Sequence, residues 1–288
     1  MIRLMAGDPA LAALGESAPA QAIERLREEW GLNRPVLSQY SDFLWGLLHG
    51  DLGRAYYNNV LIMSLLIHAF PYTIILTCLF IIGGLIVGIP LGIATALHAG
   101  SYIDNIGRVI SLAGMSLPTF YIGILLLLLF ALKLGWFPAM GGGEAGNLRD
   151  QLHHVVLPAL AGALYLAAYV TRFVRSSLLE VIRQDYINTA RSKGLRESKV
   201  IYKHAMRNSL ISLVTVIGMY FVMLFGGSVL TEIIFSRPGL GKVIVGAINQ
   251  RDYMVLQGVM LIYMLLTVCI NLLVDLSYGL IDPRIRYE

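Results

Sequence analysis

The densest group of side chains that could bind a partner or do chemistry lies in the second half of the chain. Nine of its 22 Lys and Arg residues fall between Arg172 and Arg207, with only three acidic residues among them. Lys193 followed by Gly194 is a helix stop, because a glycine readily takes the left-handed conformation after a helix. Apolar residues recur in this segment at helical spacing, at Leu179, Ile182, Tyr186 and Ala190. The pattern predicts two short amphipathic helices separated by a glycine break.

A basic amphipathic segment of this kind has two possible uses. Its helices can lie on anionic lipid. Alternatively, they can place an apolar edge in a groove of a partner protein while basic residues fix the register. Periodicity alone leaves both uses open.

The sequence offers little for catalysis. The phosphate-binding pattern G-x-x-x-x-G-K-[ST] does not occur, and the nearest string, PGLGKV at 238–243, lacks the first glycine and has Val after the Lys. Cys78 and Cys269 lie in apolar runs and are interpreted as small buried residues. We therefore expect no metal site and no enzyme. An ion-coupled secondary carrier is the alternative from another class, but it needs a carboxylate within the membrane. Only Asp275 qualifies, and it lies off centre.

Composition places these residues in a membrane protein. The chain is 57% hydrophobic and 14% charged, with a mean hydropathy of +0.69, whereas a soluble domain is about half apolar and a quarter charged. A bilayer core about 30 Å thick needs roughly 20 apolar residues of helix, and five stretches qualify. They run from Tyr72 to Leu97, Val109 to Leu134, Val155 to Leu179, Leu210 to Phe235 and Met254 to Ile281. The predicted fold is an all-α polytopic helical bundle. Glycines that suit close helix packing are Gly83, Gly84, Gly88, Gly92, Gly226 and Gly227.

Charge sets the predicted orientation. Residues 180–209 contain seven Lys and Arg residues, and placing them in hydrocarbon at about 3 kcal/mol each would cost on the order of 20 kcal/mol. These residues therefore lie outside the bilayer, in the cytoplasm by the positive-inside rule. Alternation then places residues 1–71 outside the cell, the membrane domain at 72–281, and the tail 282–288 in the cytoplasm. Residues 1–71 contain no apolar stretch of about 20 residues that would lead them across. Either the first span drags this tail across, or, as we expect, a sixth span precedes Met1.

The segment from Asp185 to Leu210, DYINTARSKGLRESKVIYKHAMRNSL, resembles the cytoplasmic loop of binding-protein-dependent ABC importer permeases of the dipeptide/oligopeptide type. The wider importer class has Glu-Ala-Ala where this chain has Asn188, Thr189 and Ala190, and the peptide branch shares that departure. In the family, GDP follows the first span directly, which supports the expected leading helix. Further similar strings, in the family's order, are GDPALAALG (Gly7 to Gly15), GLNRPVLSQY (Gly31 to Tyr40), GDLG (Gly50 to Gly53), LGWFPAMG (Leu134 to Gly141), TEIIFSRPGLGKVIVGAINQRDY (Thr231 to Tyr253) and NLLVDLSYGLIDPRIRY (Asn271 to Tyr287).

The resemblance implies the type I ABC importer permease fold, in a bacterial-type inner membrane, with no ATP site in this chain and no nucleic-acid partner. It implies a second, similar permease subunit, two ATP-binding subunits that use ATP-Mg, and an external substrate-binding protein. In the family, the helix around Asp185 to Gly194 is the coupling helix, which sits in a groove of the ATPase. Tyr186, Ile187 and Ala190 would fill that groove, and Arg183, Arg191 and Lys193 would pair at its rim. The full set assigned to coupling is Arg183, Asp185, Tyr186, Ile187, Thr189, Ala190, Arg191, Lys193, Gly194, His204, Arg207 and Asn208.

The resemblance also implies an outer surface that receives the binding protein, to which Pro238, Gly239, Gly241, Arg251 and Asp252 are assigned. The transport path is expected between this chain and the second permease. Tyr165, Tyr169 and Tyr220 are candidates to line it, although ordinary packing explains them equally well. Substrates in the family include dipeptides, longer peptides, glutathione and nickel, and we expect peptides.

Overall fold

The structure, a computed structural model, describes residues 8–15 and 17–281, apart from the side chains of residues 207, 208, 210–212, 214, 215 and 277–281. Within these ranges the chain is almost entirely helical, and its one β feature is an isolated bridge between Arg54 and Leu61. Two π-helical stretches, Leu127–Lys133 and Val200–Ala205, continue neighbouring helices. The α-helices in chain order are α1 (Pro9–Leu14), α2 (Ala20–Glu29), α3 (Val36–Leu48), α4 (Ile62–Leu97), α5 (Tyr102–Ser116), α6 (Thr119–Leu126), α7 (Leu148–Ile182), α8 (Asp185–Ser192), α9 (Glu197–Lys199), α10 (Met206–Ile234), α11 (Leu240–Asn249) and α12 (Tyr253–Ile281).

The chain divides into two compact units. The smaller unit comprises Met1–Thr73 and Arg237–Leu265, and the larger unit comprises Ile74–Ser236 and Leu266–Glu288. In the smaller unit, Ile62 and Leu66 at the start of α4 are buried, and Ile62 lies so close to Gly258 that a Cβ there would come within 2.7 Å of it. Helix α4 thus begins before the predicted span at Tyr72, and its first turns pack within the smaller unit.

Four helices in the described part of the chain are long and apolar enough to cross a membrane, namely α4, α7, and segments of α10 and α12. The fifth predicted span is present but broken. Helix α5 and the stretch Thr119–Lys133 qualify only as a pair, bent by 100°. The physical reason is Pro118, which disfavours helical geometry at the preceding residue, and Leu117 accordingly has φ −92° and ψ 127°. The predicted span from Val109 to Leu134 therefore corresponds to a bent pair of helical segments and not to one straight helix.

Helix α7 is the centre of the larger unit and packs against α4 along a glycine stripe. A Cβ added to Gly84, Gly88 or Gly92 would lie 2.7 Å from the Cβ of Leu166, Val170 or Val174, respectively. The two backbones therefore approach as closely as glycine permits, which is how membrane helices gain dispersion contact without a hydrophobic driving force. By contrast, a Cβ at Gly226 or Gly227 would meet no atom of the described chain within 4 Å, so the predicted close packing at these two positions was wrong within this chain.

Candidate functional site

The segment between α7 and α10 forms a short helix held against the chain's own core. Helix α7 ends at Ile182, Gln184 is extended (φ −75°, ψ 146°), and α8 starts at Asp185. Ile187 is 0% exposed and belongs to the same apolar cluster as Val200 and Ala205. Helix α8 thus packs on the π-helical stretch that precedes α10.

This packing corrects part of the predicted coupling set. Ile187 and Ala190 are buried within the chain, so the expectation that they fill a groove of a partner was wrong; they anchor α8 instead. Tyr186 remains 42% exposed. We define the outer face of α8 as the exposed residues Arg183, Asp185, Tyr186, Asn188, Thr189 and Lys193. The side chains of Arg207 and Asn208 lie outside the described residues, and His204 is half-buried.

A sharp turn at Gly194 follows α8, and a hydrogen-bonded pair of side chains spans it. Gly194 has φ +74°, as its predicted role as a helix stop requires. Across the turn, Arg191 Nη2 donates to Glu197 Oε1 at 2.7 Å and Arg191 Nε donates to Glu197 Oε2 at 3.2 Å. This hydrogen-bonded pair lowers the pKa of Glu197. The predicted rim residue Arg191 is therefore already paired within the chain.

The second of the two predicted short helices is not separate. Helix α9, the π-helical stretch and α10 follow one another without a break from Glu197 to Ile234. The loop residues after Gly194 are thus the start of a membrane-spanning helix.

A buried ion pair ties α5 to α7. Arg175 Nε donates to Asp104 Oδ1 at 2.6 Å, and Arg175 Nη2 donates to Asp104 Oδ2 at 2.9 Å. The Asp104 side chain is 1% exposed and also accepts from the backbone N–H of Gly100 at 2.9 Å. Sequence reasoning missed this pair because its partners are 71 residues apart. Two signals were available in the sequence. Asp104 lies just before the predicted apolar stretch 109–134, and Arg175 lies inside the apolar stretch 155–179.

The three tyrosines predicted to line a path come together in the larger unit. The ring centroids of Tyr165 and Tyr169 are 5.1 Å apart, and those of Tyr169 and Tyr220 are 4.8 Å apart. Tyr169 and Tyr220 border a cavity of about 360 Å³ between α5, α7 and α10, which we call the tyrosine cavity. Its lining is Met115, Tyr169, Arg172, Phe173, Ser176, Val216 and Tyr220. The charge pattern of the sequence grouped Arg172 with the loop cations, although it lies inside the third predicted span.

In the smaller unit, most residues assigned to docking of a binding protein are structural. Asp252 is 2% exposed and accepts hydrogen bonds from the backbone N–H of Tyr56 at 2.6 Å and of Val255 at 3.1 Å. Burial raises the pKa of this carboxyl. Gly239 and Gly241 are also buried, so these three assignments were wrong as surface contacts. Pro238 and Arg251 are exposed.

The sequence matches known protein families over nearly its whole length. Residues 88–287 match the family described as "Binding-protein-dependent transport system inner membrane component", and residues 1–77 match its N-terminal companion, "Binding-prot-dependent transport system membrane comp, N-term". The chain belongs to this family. It is therefore a multi-pass inner-membrane component of a binding-protein-dependent transport system.

Relatives and a solved structure agree with this assignment. A relative from Brucella abortus (strain 2308), named for a peptide transport system permease, is 42% identical over 293 residues, covering 100% of this chain and 92% of that one. The glutathione transport system permease protein GsiC of Pectobacterium atrosepticum is 39% identical over 287 residues, with the same coverage. The inward-facing MetNI methionine ABC transporter has a chain that matches with a TM-score of 0.62 at 20% identity, covering 76% of this chain and 97% of that chain. This last match shows that the inner-membrane component has the fold of an ABC importer permease.

Proposed function

We propose that this transport component is the permease subunit of an ATP-driven importer of peptides, which an external binding protein delivers. The relatives named for peptide and glutathione transport support this substrate class. Glutathione is itself a tripeptide and is the second candidate substrate. The ion-coupled carrier is not supported, because the family depends on binding proteins.

The proposal depends mainly on one observation: α8 is packed against the chain on one side and exposed on the other. Its inner side is anchored by Ile187, while its outer face with Tyr186 is exposed. The helix is also tied through the Arg191–Glu197 pair to the start of the continuous helix that ends at Ile234. An ATPase that grips the outer face would thus move a transmembrane element directly.

The proposal also implies the orientation of the chain and the other subunits of the importer. The coupling segment and the C-terminus lie in the cytoplasm, because the basic segment 180–209 favours that side. Two partner subunits bind and hydrolyse ATP-Mg, since this sequence has no phosphate-binding loop of its own. A second, similar permease completes the path.

The test uses the left-handed turn at Gly194 in the assembled complex reconstituted in proteoliposomes. Gly194→Val places a β-branched side chain at φ +74°, where it is strained, whereas Gly194→Asn is the matched control because Asn tolerates this conformation. We expect Gly194→Val to lower peptide uptake and transport-linked ATP hydrolysis about tenfold or more, while binding-protein docking is retained. Gly194→Asn should stay close to wild type. Normal uptake by Gly194→Val would contradict coupling through this turn, and uptake that persists without the partner ATPases would contradict an ATP-driven importer.

A further inference from the structure

Arg172 carries a permanent positive charge inside a membrane-spanning helix. The apolar stretch 155–179 of α7 is centred near Ala167, so Arg172 lies only about 8 Å along the helix from the centre. The hydrocarbon half-thickness is about 15 Å. A charge at that depth is costly, and such residues are retained where they face a water-filled cavity or the bundle interior. The position therefore points to a functional role.

The surroundings of Arg172 leave its charge uncompensated in the described chain. Three residues further on, Arg175 is neutralised by the buried Asp104. Arg172, in contrast, is exposed, and its Nη1 lies 4.0 Å from the sulfur of Met115. The described residues that line the tyrosine cavity include no acid. The cavity is thus a positively charged space with two phenol groups in its wall.

The side chain of Arg172 points toward the centre of the membrane and not toward the lipid headgroups. Met115, which it approaches, follows Gly114, and a Cβ on Gly114 would lie 2.9 Å from Ala168. Ala168 is about one helical turn before Arg172 and is next to Ala167, at the centre of the apolar stretch. A guanidinium that served a lipid phosphate would extend the opposite way.

The helix geometry assembles a binding surface around this charge. Tyr165, Tyr169, Arg172 and Ser176 follow each other at spacings of four, three and four, so they lie on one face of α7. Tyr220 of α10 closes the surface through its ring contact with Tyr169. A guanidinium offers a planar pair of donors that matches a carboxylate, and phenol hydroxyls add further donors.

We propose that Arg172 binds a carboxylate of the transported peptide in the tyrosine cavity. Every unmodified peptide has such a group at its C-terminus. Tyr169 and Tyr220 line the same cavity, and their phenol groups would add hydrogen-bond donors to the bound carboxylate. The inference rests on the proposed peptide-import function and names a substrate contact for it.

The first experiment measures the charge of the cavity without any transport. In the assembled complex, Cys78 and Cys269 are replaced by Ala, and Ser176→Cys provides a thiol one turn from Arg172. The reaction rates of this thiol with an anionic and a cationic water-soluble methanethiosulfonate reagent are compared. Arg172→Gln should lower the anionic-to-cationic rate ratio about tenfold. Arg149→Gln, at the other end of α7, removes the same charge outside the membrane and should leave the ratio unchanged. Failure of the introduced thiol to react, or an unchanged ratio in Arg172→Gln, would overturn the proposal.

The second experiment identifies the ligand. Uptake of a free-acid peptide and of its C-terminal amide is measured in proteoliposomes at saturating binding protein. Arg172→Gln should reduce uptake of the acid about tenfold and uptake of the amide much less, because the amide carries no charge to pair with Arg172. Arg172→Lys, which keeps the positive charge but not the planar pair of donors, should be intermediate. An equal loss for both peptides would show that Arg172 serves a lipid or a partner subunit, and would refute the proposal. Failure of the wild-type complex to import either peptide would instead refute the proposed function, since the rate ratio of the introduced thiol does not depend on transport.

Discussion

Replacing Ile187 by Ala tests whether α8 is held to the chain by its buried side. Ile187 is fully buried, and Ala190 is the only other buried residue of this eight-residue helix among those the structure describes. An Ile→Ala change in a packed core costs about 2–5 kcal/mol. A helix this short has little stability of its own, so we expect the loss to fall on the seating of α8. It should raise the population of detached α8 about 30-fold to about 4,000-fold.

Hydrogen exchange followed by mass spectrometry, on the protein in lipid nanodiscs, measures this population directly. Amides of residues 185–193 should exchange faster in Ile187→Ala by that factor, while amides in the middle of α7 are unaffected. Ile187→Val costs about 0.5–1.5 kcal/mol, so it should raise exchange by about tenfold at most. Tyr186→Ala, on the exposed face, should leave exchange unchanged but reduce transport-linked ATP hydrolysis. If Ile187→Ala exchanged like wild type, the assignment of Ile187 as the anchor of α8 would be refuted.

Three further substitutions test other parts of the structure. Asp104→Asn leaves the Arg175 guanidinium without its anion and should destabilise the protein by about 3–5 kcal/mol in detergent unfolding, part of which the double change with Arg175→Gln restores. Gly88→Ala forces α4 and α7 apart, because its Cβ would lie 2.7 Å from a side chain of α7; thermal unfolding should show a loss of about 1–3 kcal/mol, whereas Gly226→Ala, in open space, should be neutral. Asp252→Ala removes an acceptor of several backbone N–H groups and should increase proteolytic cleavage near residues 56–57 more than Asp252→Asn, which keeps one acceptor oxygen.

The membrane helices were predictable from sequence because length and apolarity alone decide them. The stretches from Val155 and from Met254 lie within α7 and α12, whose helices extend one to seven residues further at their N-terminal ends. The broken span was less predictable. Pro118 was visible in the sequence, but a proline in a membrane helix is also compatible with a mild kink, so the sequence alone did not predict the bend of 100°.

The face of α8 was mispredicted for an identifiable reason. The stripe from Leu179 through Tyr186 to Ala190 assumes one helix with a single phase. The chain leaves the helix at Arg183 and Gln184, and a new helix starts at Asp185. Because of this break, the periodicity of α7 does not continue into α8. Ile187, and not Tyr186, therefore lies on the buried side of α8 together with Ala190. The pair Asp104–Arg175 joins residues 71 positions apart, so neither hydrophobic periodicity nor local sequence motifs could predict it.

Helix α8 and the tyrosine cavity both contact the continuous helix that contains α10. Helix α8 packs through Ile187 on the π-helical stretch Val200–Ala205, and from there the helix runs continuously to Tyr220. Arg172 belongs to α7, from which α8 is separated by the two-residue break. If α8 couples to an ATPase as proposed, its displacement would be transmitted more directly to Tyr220 than to Arg172. The π-helical stretch Val200–Ala205 lies on this path, and such stretches often mark functional sites within helices. We therefore infer that ATP-driven movement changes the separation of Tyr220 and Arg172, so the same stroke that moves α10 would weaken the hold on a bound carboxylate.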